Sequence, residues 1–269
     1  MSLVSTDWLN DNLNKVKIID ASWHLVKSRS AIEEYNKEHI MNAVFFDLDK
    51  NSNQHTDLPH MLTDKNTWEK IISNMGINNE DEIVVYDNSD VISSCRCWYN
   101  FIYFGHNPKL IHVLDGGLKK WKNEKKQTTN IIPKNKNSNY KAYAKKELVK
   151  SKQEIDKNIF SKEFKVIDAR SKNRFEGKVP EPRKGLRSGS IQNSFCLPFS
   201  EIINDDNTFV DKDKILEKFK STKCDLDVNL VFSCGSGVTA SVLALAYSLI
   251  DNKYMPKVYD GSWSEYGKI

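Results

Sequence analysis

Three short runs in the first half of this chain return in the second half, in the same order and at nearly the same separation. Lys17-Ile18-Ile19-Asp20-Ala21-Ser22 is matched by Lys165-Val166-Ile167-Asp168-Ala169-Arg170. Glu82-Ile83-Val84-Val85-Tyr86-Asp87 is matched by Val228-Asn229-Leu230-Val231-Phe232-Ser233. Leu114-Asp115-Gly116-Gly117-Leu118-Lys119-Lys120-Trp121 is matched by Tyr259-Asp260-Gly261-Ser262-Trp263-Ser264-Glu265-Tyr266. Such repetition restricts the fold severely, because one topology must serve two copies of about 120 residues, an ordinary domain size. The expected division is a first domain over 1–125, a linker over 126–144 and a second domain over 145–269. Residues 123–143 are rich in Lys, Asn, Thr and Ser and lack apolar periodicity, so they read as a connection running over the surface.

Inside each copy, short β-branched runs alternate with helical stretches. Ser5-Thr6 precedes Trp8 and Leu9 as a helix cap. Residues 67–75 form a helix stopped by Gly76, and 97–104 a helix stopped by Gly105. Ile18-Ile19, 83–86 and 111–114 read as buried strands. This alternation specifies an α/β fold, each copy a mainly parallel sheet flanked by helices. Ligand sites in such sheets gather at the carboxyl ends of the strands.

Cys234 stands at such an end. It follows the apolar run Asn229-Leu230-Val231-Phe232-Ser233, opens the loop Cys234-Gly235-Ser236-Gly237-Val238-Thr239, and precedes an Ala/Leu-rich helical stretch over 240–250. A tight glycine-containing turn from strand to helix aims backbone N–H groups and the positive end of the helix dipole at the sulfur. A thiol cradled in that way is suited to act as a thiolate nucleophile. The plainer reading of any lone cysteine is a small buried hydrophobe, and it is preferred for Cys95, Cys97, Cys196 and Cys224. Cys234 differs because Gly, Ser, Gly and Thr suit a backbone wrapped around a ligand better than close packing. The corresponding loop of the first copy, Asn88-Ser89-Asp90-Val91, has no cysteine, so only the second copy should carry the nucleophile.

Composition narrows the role. A net charge of +4 over 269 residues, with Lys interspersed among Glu and Asp, does not describe a nucleic-acid surface but suits the entrance to a site for a small anion. Five cysteines cannot pair evenly, and Cys95 and Cys97 are too close for a CxxC pattern, so no metal site is expected. No apolar run approaches the roughly 20 residues that span a bilayer. The N-terminal residues lack the basic-then-apolar pattern of a signal peptide. The expectation is a cytoplasmic chain with free thiols and no membrane or nucleic-acid partner.

On these residues the chain resembles the two-domain rhodanese-like sulfurtransferases over nearly its whole length. The cysteine loop is the most specific match. Gly235-Ser236 stands where thiosulfate-using members carry an Arg-Lys pair, and so resembles the branch that uses 3-mercaptopyruvate. A doubly negative thiosulfate favours cations in the loop, whereas mercaptopyruvate carries one carboxylate. Asp168-Ala169-Arg170-Ser171, Arg174-Phe175 and Glu181-Pro182-Arg183 look like the family's substrate-binding segment. Phe45-Phe46-Asp47-Leu48-Asp49 and Leu58-Pro59-His60-Met61-Leu62 look like the first domain's contribution.

The resemblance implies Arg174 and Arg183 as ligands of the substrate's carboxylate and ketone, since guanidinium forms bidentate, charge-assisted bonds. It implies a relay in which Asp49 orients His60 and His60 polarises Ser236, with Cys234 as nucleophile. The amides of Gly235 to Thr239 would hold the persulfide anion, and Gly235, Gly237, Val238 and Thr239 would bind the substrate. The site would lie between the two domains, need no metal or organic cofactor, and pass sulfur to a small thiol, a thioredoxin-like protein or cyanide. The chain departs from the family at Ser188-Gly189-Ser190-Ile191, where a Gly-His-Ile turn is usual; a local effect outside the site is expected. His24, His39, His55, His106 and His112 match no motif and read as structural. Three other readings remain: a thiosulfate sulfurtransferase; a cysteine-dependent phosphatase, disfavoured because Thr239-Ala240-Ser241 lacks an arginine to grip phosphate; and a non-catalytic module that carries persulfide.

Overall fold

The structure is a computed structural model that describes residues 2–226, 229–251 and 254–269. Its contacts divide into two units. The first comprises Met1–Gln54, Leu62–Lys145 and Asp205–Thr208; the second comprises His55–Met61, Lys146–Asn204 and Phe209–Ile269. Residues 55–61, which the sequence assigns to the first copy, thus pack with the second unit.

In the first unit the chain order is β1 (Leu3–Val4), α1 (Thr6–Asn12), β2 (Lys17–Asp20), α2 (Ala31–Lys37), β3 (His39–Ile40), β4 (Ala43–Phe45), α3 (Lys65–Asn74), β5 (Ile83–Tyr86), α4 (Ser94–Tyr103), β6 (Ile111–Leu114), α5 (Gly117–Asn123) and β7 (Thr128–Thr129). The sheet order β1-β6-β5-β2-β4 is parallel throughout. Every residue of β5 and β6 is buried, which fits strands covered by helices on both faces. Ser5 caps α1, its Oγ accepting from Trp8 N at 3.1 Å.

The second unit runs β8 (Val149–Lys150), α6 (Lys152–Ser161), β9 (Lys165–Asp168), α7 (Lys172–Phe175), β10 (Phe195–Cys196), α8 (Lys212–Ser221), β11 (Leu230–Ser233), α9 (Val238–Ile250), β12 (Val258–Tyr259) and α10 (Ser262–Tyr266). Its sheet, β10-β9-β11-β12-β8, is also wholly parallel. Read from the opposite edge, the two sheets have the same strand order.

The strand register corrects the sequence matching by one residue. Asp20 pairs with Tyr86, and Asp168 with Ser233. Ala21 N donates to Tyr86 O and Ala169 N to Ser233 O, both at 2.8 Å. Tyr86 is therefore the counterpart of Ser233, and Asp87 stands where Cys234 does. A buried parallel strand is apolar on both faces and has no alternation to fix its register by eye. Val228, used in that matching, lies outside the described residues.

The segment 126–144 has no regular secondary structure apart from β7, which pairs antiparallel with β3. It holds to the first unit at Tyr140 and Ala142, both buried. Tyr140 N donates to Ser73 Oγ at 3.0 Å, and its ring stacks on His106. Two buried side chains in an irregular run held mostly through its backbone leave no periodicity for a sequence to show. Among the described residues, no helix is long and apolar enough to cross a membrane.

Candidate active site

The centre of the second unit is the turn from β11 into α9. Gly237 makes the turn in the left-handed region, φ +80°, and caps the 13-residue α9. The turn is held from one side by the segment at α10. Trp263 N donates to Cys234 O at 3.0 Å, and Ser264 N and Oγ donate to Gly235 O at 2.8 and 2.6 Å. Cys234 N donates to Ser262 Oγ at 3.1 Å. In a trans peptide the N–H points opposite the carbonyl, so pinning the carbonyls of Cys234 and Gly235 turns the N–H groups of Gly235 and Ser236 to the other side. Neither N–H has an acceptor among the described residues. With Val238 and Thr239 in the first turn of α9, the loop presents an anion cradle beside the thiol.

Cys234 is buried, at 2% exposure. All five cysteines are free. Burial pushes the thiols of Cys95 and Cys97 well up, that of Cys196 to about 12 and that of Cys224 to about 11, so these four stay protonated at neutral pH.

Two of the arginines named from sequence meet at Gly235. A methyl group placed on its Cα would lie 3.3 Å from Arg174 Nη2 and 3.6 Å from Arg183 Nη1. Glycine at this position leaves room for the close approach of Arg174, while Arg183 lies at an ordinary contact distance from the same point. Arg183 Nη2 also donates to Ser236 Oγ at 3.4 Å. Ser236 is buried and lies 2.9 Å from His60 Nδ1. His60 is itself buried and holds φ at +61°, a backbone region that costs energy for most residues but that His visits more than many. Thus Cys234, Gly235, Ser236, His60, Arg174 and Arg183 belong to one unit. Asp49 belongs to the other, where its carboxylate accepts from Trp23 Nε1 at 3.1 Å.

Sequence reading passed over the buried ion pairs behind the arginines. Arg170 donates through Nε and Nη2 to Asp168 and through Nη1 to Glu181. Arg174 donates through Nε and Nη2 to Glu181. The charged residues were visible in the motif, but only the fold shows which carboxylate meets which guanidinium. The turn at Ser188-Gly189-Ser190-Ile191 is also nearer the site than its sequence suggested: Gly189 O accepts from Arg170 Nη2 at 2.9 Å.

The first unit fills the equivalent place differently. Asp87 replaces the cysteine, and its buried carboxylate accepts from Ser94 N at 2.6 Å and Ser89 N at 3.4 Å. Burial raises its pKa to about 6. Ser22 stands at the position of Arg170 and donates through N and Oγ to Asp20. Here Ser89 N and Ser94 N donate to the chain's own carboxylate, while Asn88 N donates to Ser22 Oγ and Ser93 N to Ser89 Oγ.

Comparison with known proteins shows the family of the chain. The rhodanese-like domain family matches the chain twice, over residues 5–124 and 151–268. Thiosulfate/3-mercaptopyruvate sulfurtransferase 1, mitochondrial, of Arabidopsis thaliana is 37% identical, the match covering 98% of this chain and 75% of the relative. The 3-mercaptopyruvate sulfurtransferase of Mus musculus is 34% identical, with 98% and 91% covered. Among solved structures, the 3-mercaptopyruvate sulfotransferase SseA from Escherichia coli superposes with a TM-score of 0.88 at 29% identity, covering 98% of this chain and 99% of its own. Two rhodanese-like matches, relatives aligned over 98% of this chain and two parallel sheets of the same strand order place this chain in the rhodanese family, as a two-domain member.

Proposed function

We propose that the chain is a 3-mercaptopyruvate sulfurtransferase. The observation that carries this reading is the meeting of Arg174 and Arg183 over Gly235, next to a cysteine in a loop of unsatisfied N–H groups. That geometry suits a donor with a carboxylate and a neighbouring carbonyl better than it suits thiosulfate, because the cations sit beside the loop and not in it. The relatives' names include both donors, and thiosulfate is the second reading.

In the first half-reaction the Cys234 thiolate attacks the sulfur of 3-mercaptopyruvate. The S–S bond forms as the C–S bond breaks, and its electron pair leaves as pyruvate enolate. The proton of the donor's thiol passes to the enolate carbon, giving pyruvate and a Cys234 persulfide anion. Ser236 and His60 provide the route for that proton, and the N–H groups of Gly235 to Thr239 balance the persulfide charge. In the second half an acceptor thiolate attacks the outer sulfur and restores the Cys234 thiolate. A small thiol, a thioredoxin-like protein, or cyanide in an assay fills the acceptor role.

Asp49 is assigned as the carboxylate partner of His60 on its motif alone. We read the two units as functional repeats of one domain, with 1–125 and 145–269 as the halves and only the second bearing the nucleophile. A cytoplasmic, reducing compartment is proposed from the five free cysteines; cell fractionation tests it, and recovery in an oxidising compartment would refute it.

The experiment is pyruvate release from 3-mercaptopyruvate measured beside thiocyanate formation from thiosulfate, with cyanide as acceptor and Cys234→Ser as control. A preference for mercaptopyruvate that vanishes in the variant is expected. A preference for thiosulfate would keep the nucleophile and reject the donor. No turnover of either would leave a persulfide-binding module.

A further inference from the structure

We infer that Glu181 is a positioning residue that holds Arg174 beside Cys234, and that the buried Asp168–Arg170 pair fixes Glu181 in turn. The inference rests on the reading of Arg174 as a ligand of the donor's carboxylate.

The bonds form a continuous chain from the strand end to Arg174, whose guanidinium stands beside the loop at Gly235. Asp168 is the last residue of β9 and pairs in register with Ser233, the residue before Cys234. Both oxygens of Asp168 accept from Arg170: Nε lies 3.1 and 3.0 Å away and Nη2 2.7 Å from Oδ2. The guanidinium of Arg170 is fully buried, lies over the Trp263 ring at 4.4 Å, and gives Nη1 to Glu181 Oε1 at 2.8 Å. The Glu181 side chain is only 1% exposed. Its Oε1 accepts from Arg174 Nε at 3.2 Å and its Oε2 from Arg174 Nη2 at 2.6 Å.

The edge that Glu181 takes is what matters. A guanidinium has two edges that match a carboxylate, Nε with Nη2 and Nη1 with Nη2. Glu181 occupies the first. The second shares Nη2 and adds Nη1, which makes no hydrogen bond among the described residues, and Arg174 Nη2 is the atom that would lie nearest to a methyl group placed on Gly235. One carboxylate of the protein therefore sets the plane and direction in which the arginine offers its other edge to a carboxylate of the donor. Arg174 sits in α7, a helix of only four residues, which gives its long side chain little other restraint. Ordering it before the donor arrives removes an entropic cost of binding.

Charge and position predict opposite signs when Glu181 is neutralised. If Glu181 were only a nearby negative charge, Glu181→Gln would strengthen the binding of an anionic donor. If it positions Arg174, Glu181→Gln weakens it.

The test is steady-state kinetics with 3-mercaptopyruvate, together with the ratio of Cys234 alkylation rates by iodoacetate and iodoacetamide. That ratio reports a carboxylate guided to the thiol and needs no turnover. For Glu181→Gln we expect KM to rise about tenfold or more, as for a lost charge-assisted bond, with kcat changed less and the alkylation ratio lowered. In an Arg174→Gln background the same substitution should change either quantity by less than about twofold. Arg174→Lys, which keeps the charge and the Glu181 network's folding partners but loses the fork, should also raise KM; it serves if Glu181→Gln does not fold. A lowered KM or raised ratio in Glu181→Gln, additive effects in the double variant, or a wild-type KM in Arg174→Lys would overturn the inference while leaving Arg174 as a ligand. No effect of Arg174→Gln on either readout would overturn the substrate role of Arg174, and this inference with it.

Discussion

His60 Nδ1 lies 2.9 Å from Ser236 Oγ, and the histidine reaches that position with its backbone in the left-handed region at φ +61°. Ser236 is two residues beyond Cys234, so the contact ties a ring that can carry a proton to the loop that carries the sulfur. His60→Asn can still hydrogen-bond to Ser236 but cannot shuttle a proton. We expect it to lower kcat with 3-mercaptopyruvate about 100-fold, a usual scale for general acid–base catalysis, with KM little changed. Stopped-flow pyruvate release measures this; a kcat within twofold of wild type would restrict His60 to lining the site.

Arg183 touches Ser236 Oγ at 3.4 Å and sits beside Gly235. Arg183→Gly should raise the KM for mercaptopyruvate about 10- to 100-fold, the range expected for losing a charge-assisted bond. An unchanged KM would remove this arginine from the substrate site.

Asp87 gives a prediction in pH. Burial raises its pKa from 3.8 to about 6, so the folded state holds this proton more tightly than the unfolded one. Its effect on stability is absent below pH 4, grows as pH rises from 4 to 6, and is then a full loss of about 3 kcal/mol. Asp87→Asn escapes that loss while keeping an acceptor for Ser94 N. Thermal unfolding should show the variant more stable than wild type at pH 8, with the difference shrinking toward pH 4. A variant that is less stable at pH 8 than at pH 4, relative to wild type, would show that the ionised carboxylate is stabilised by its N–H donors.

Tyr140 tests how the segment 126–144 is held. It is buried beside Phe101 and His106. Tyr140→Ala should cost about 3 kcal/mol, as for other buried aromatics. Ile132→Ala, at a position 57% exposed, should change stability by less than about 0.5 kcal/mol. Equal effects in chemical denaturation would mean that the segment is not anchored at Tyr140.

The sequence by itself determined the α/β class, the two parallel sheets and the placement of Cys234 at the end of β11. These follow from local signals: β-branched runs, left-handed glycines and a strand–turn–helix pattern act over a few residues. The family resemblance of its short motifs named Arg174, Arg183, Ser236, His60 and Asp49, of which the first four fall in one unit and Asp49 in the other. The tertiary structure alone decided the strand register, and with it the assignment of Asp87 to the place of Cys234, because fully buried strands carry no alternating face. It alone decided that residues 55–61 pack with the second unit, that Tyr140 and Ala142 bury part of a segment without apolar periodicity, and that Glu181 joins Arg170 to Arg174. Ion pairing depends on which side chains meet across distant segments, and a guanidinium reads the same in sequence whether its carboxylate is a buried neighbour, a substrate or water.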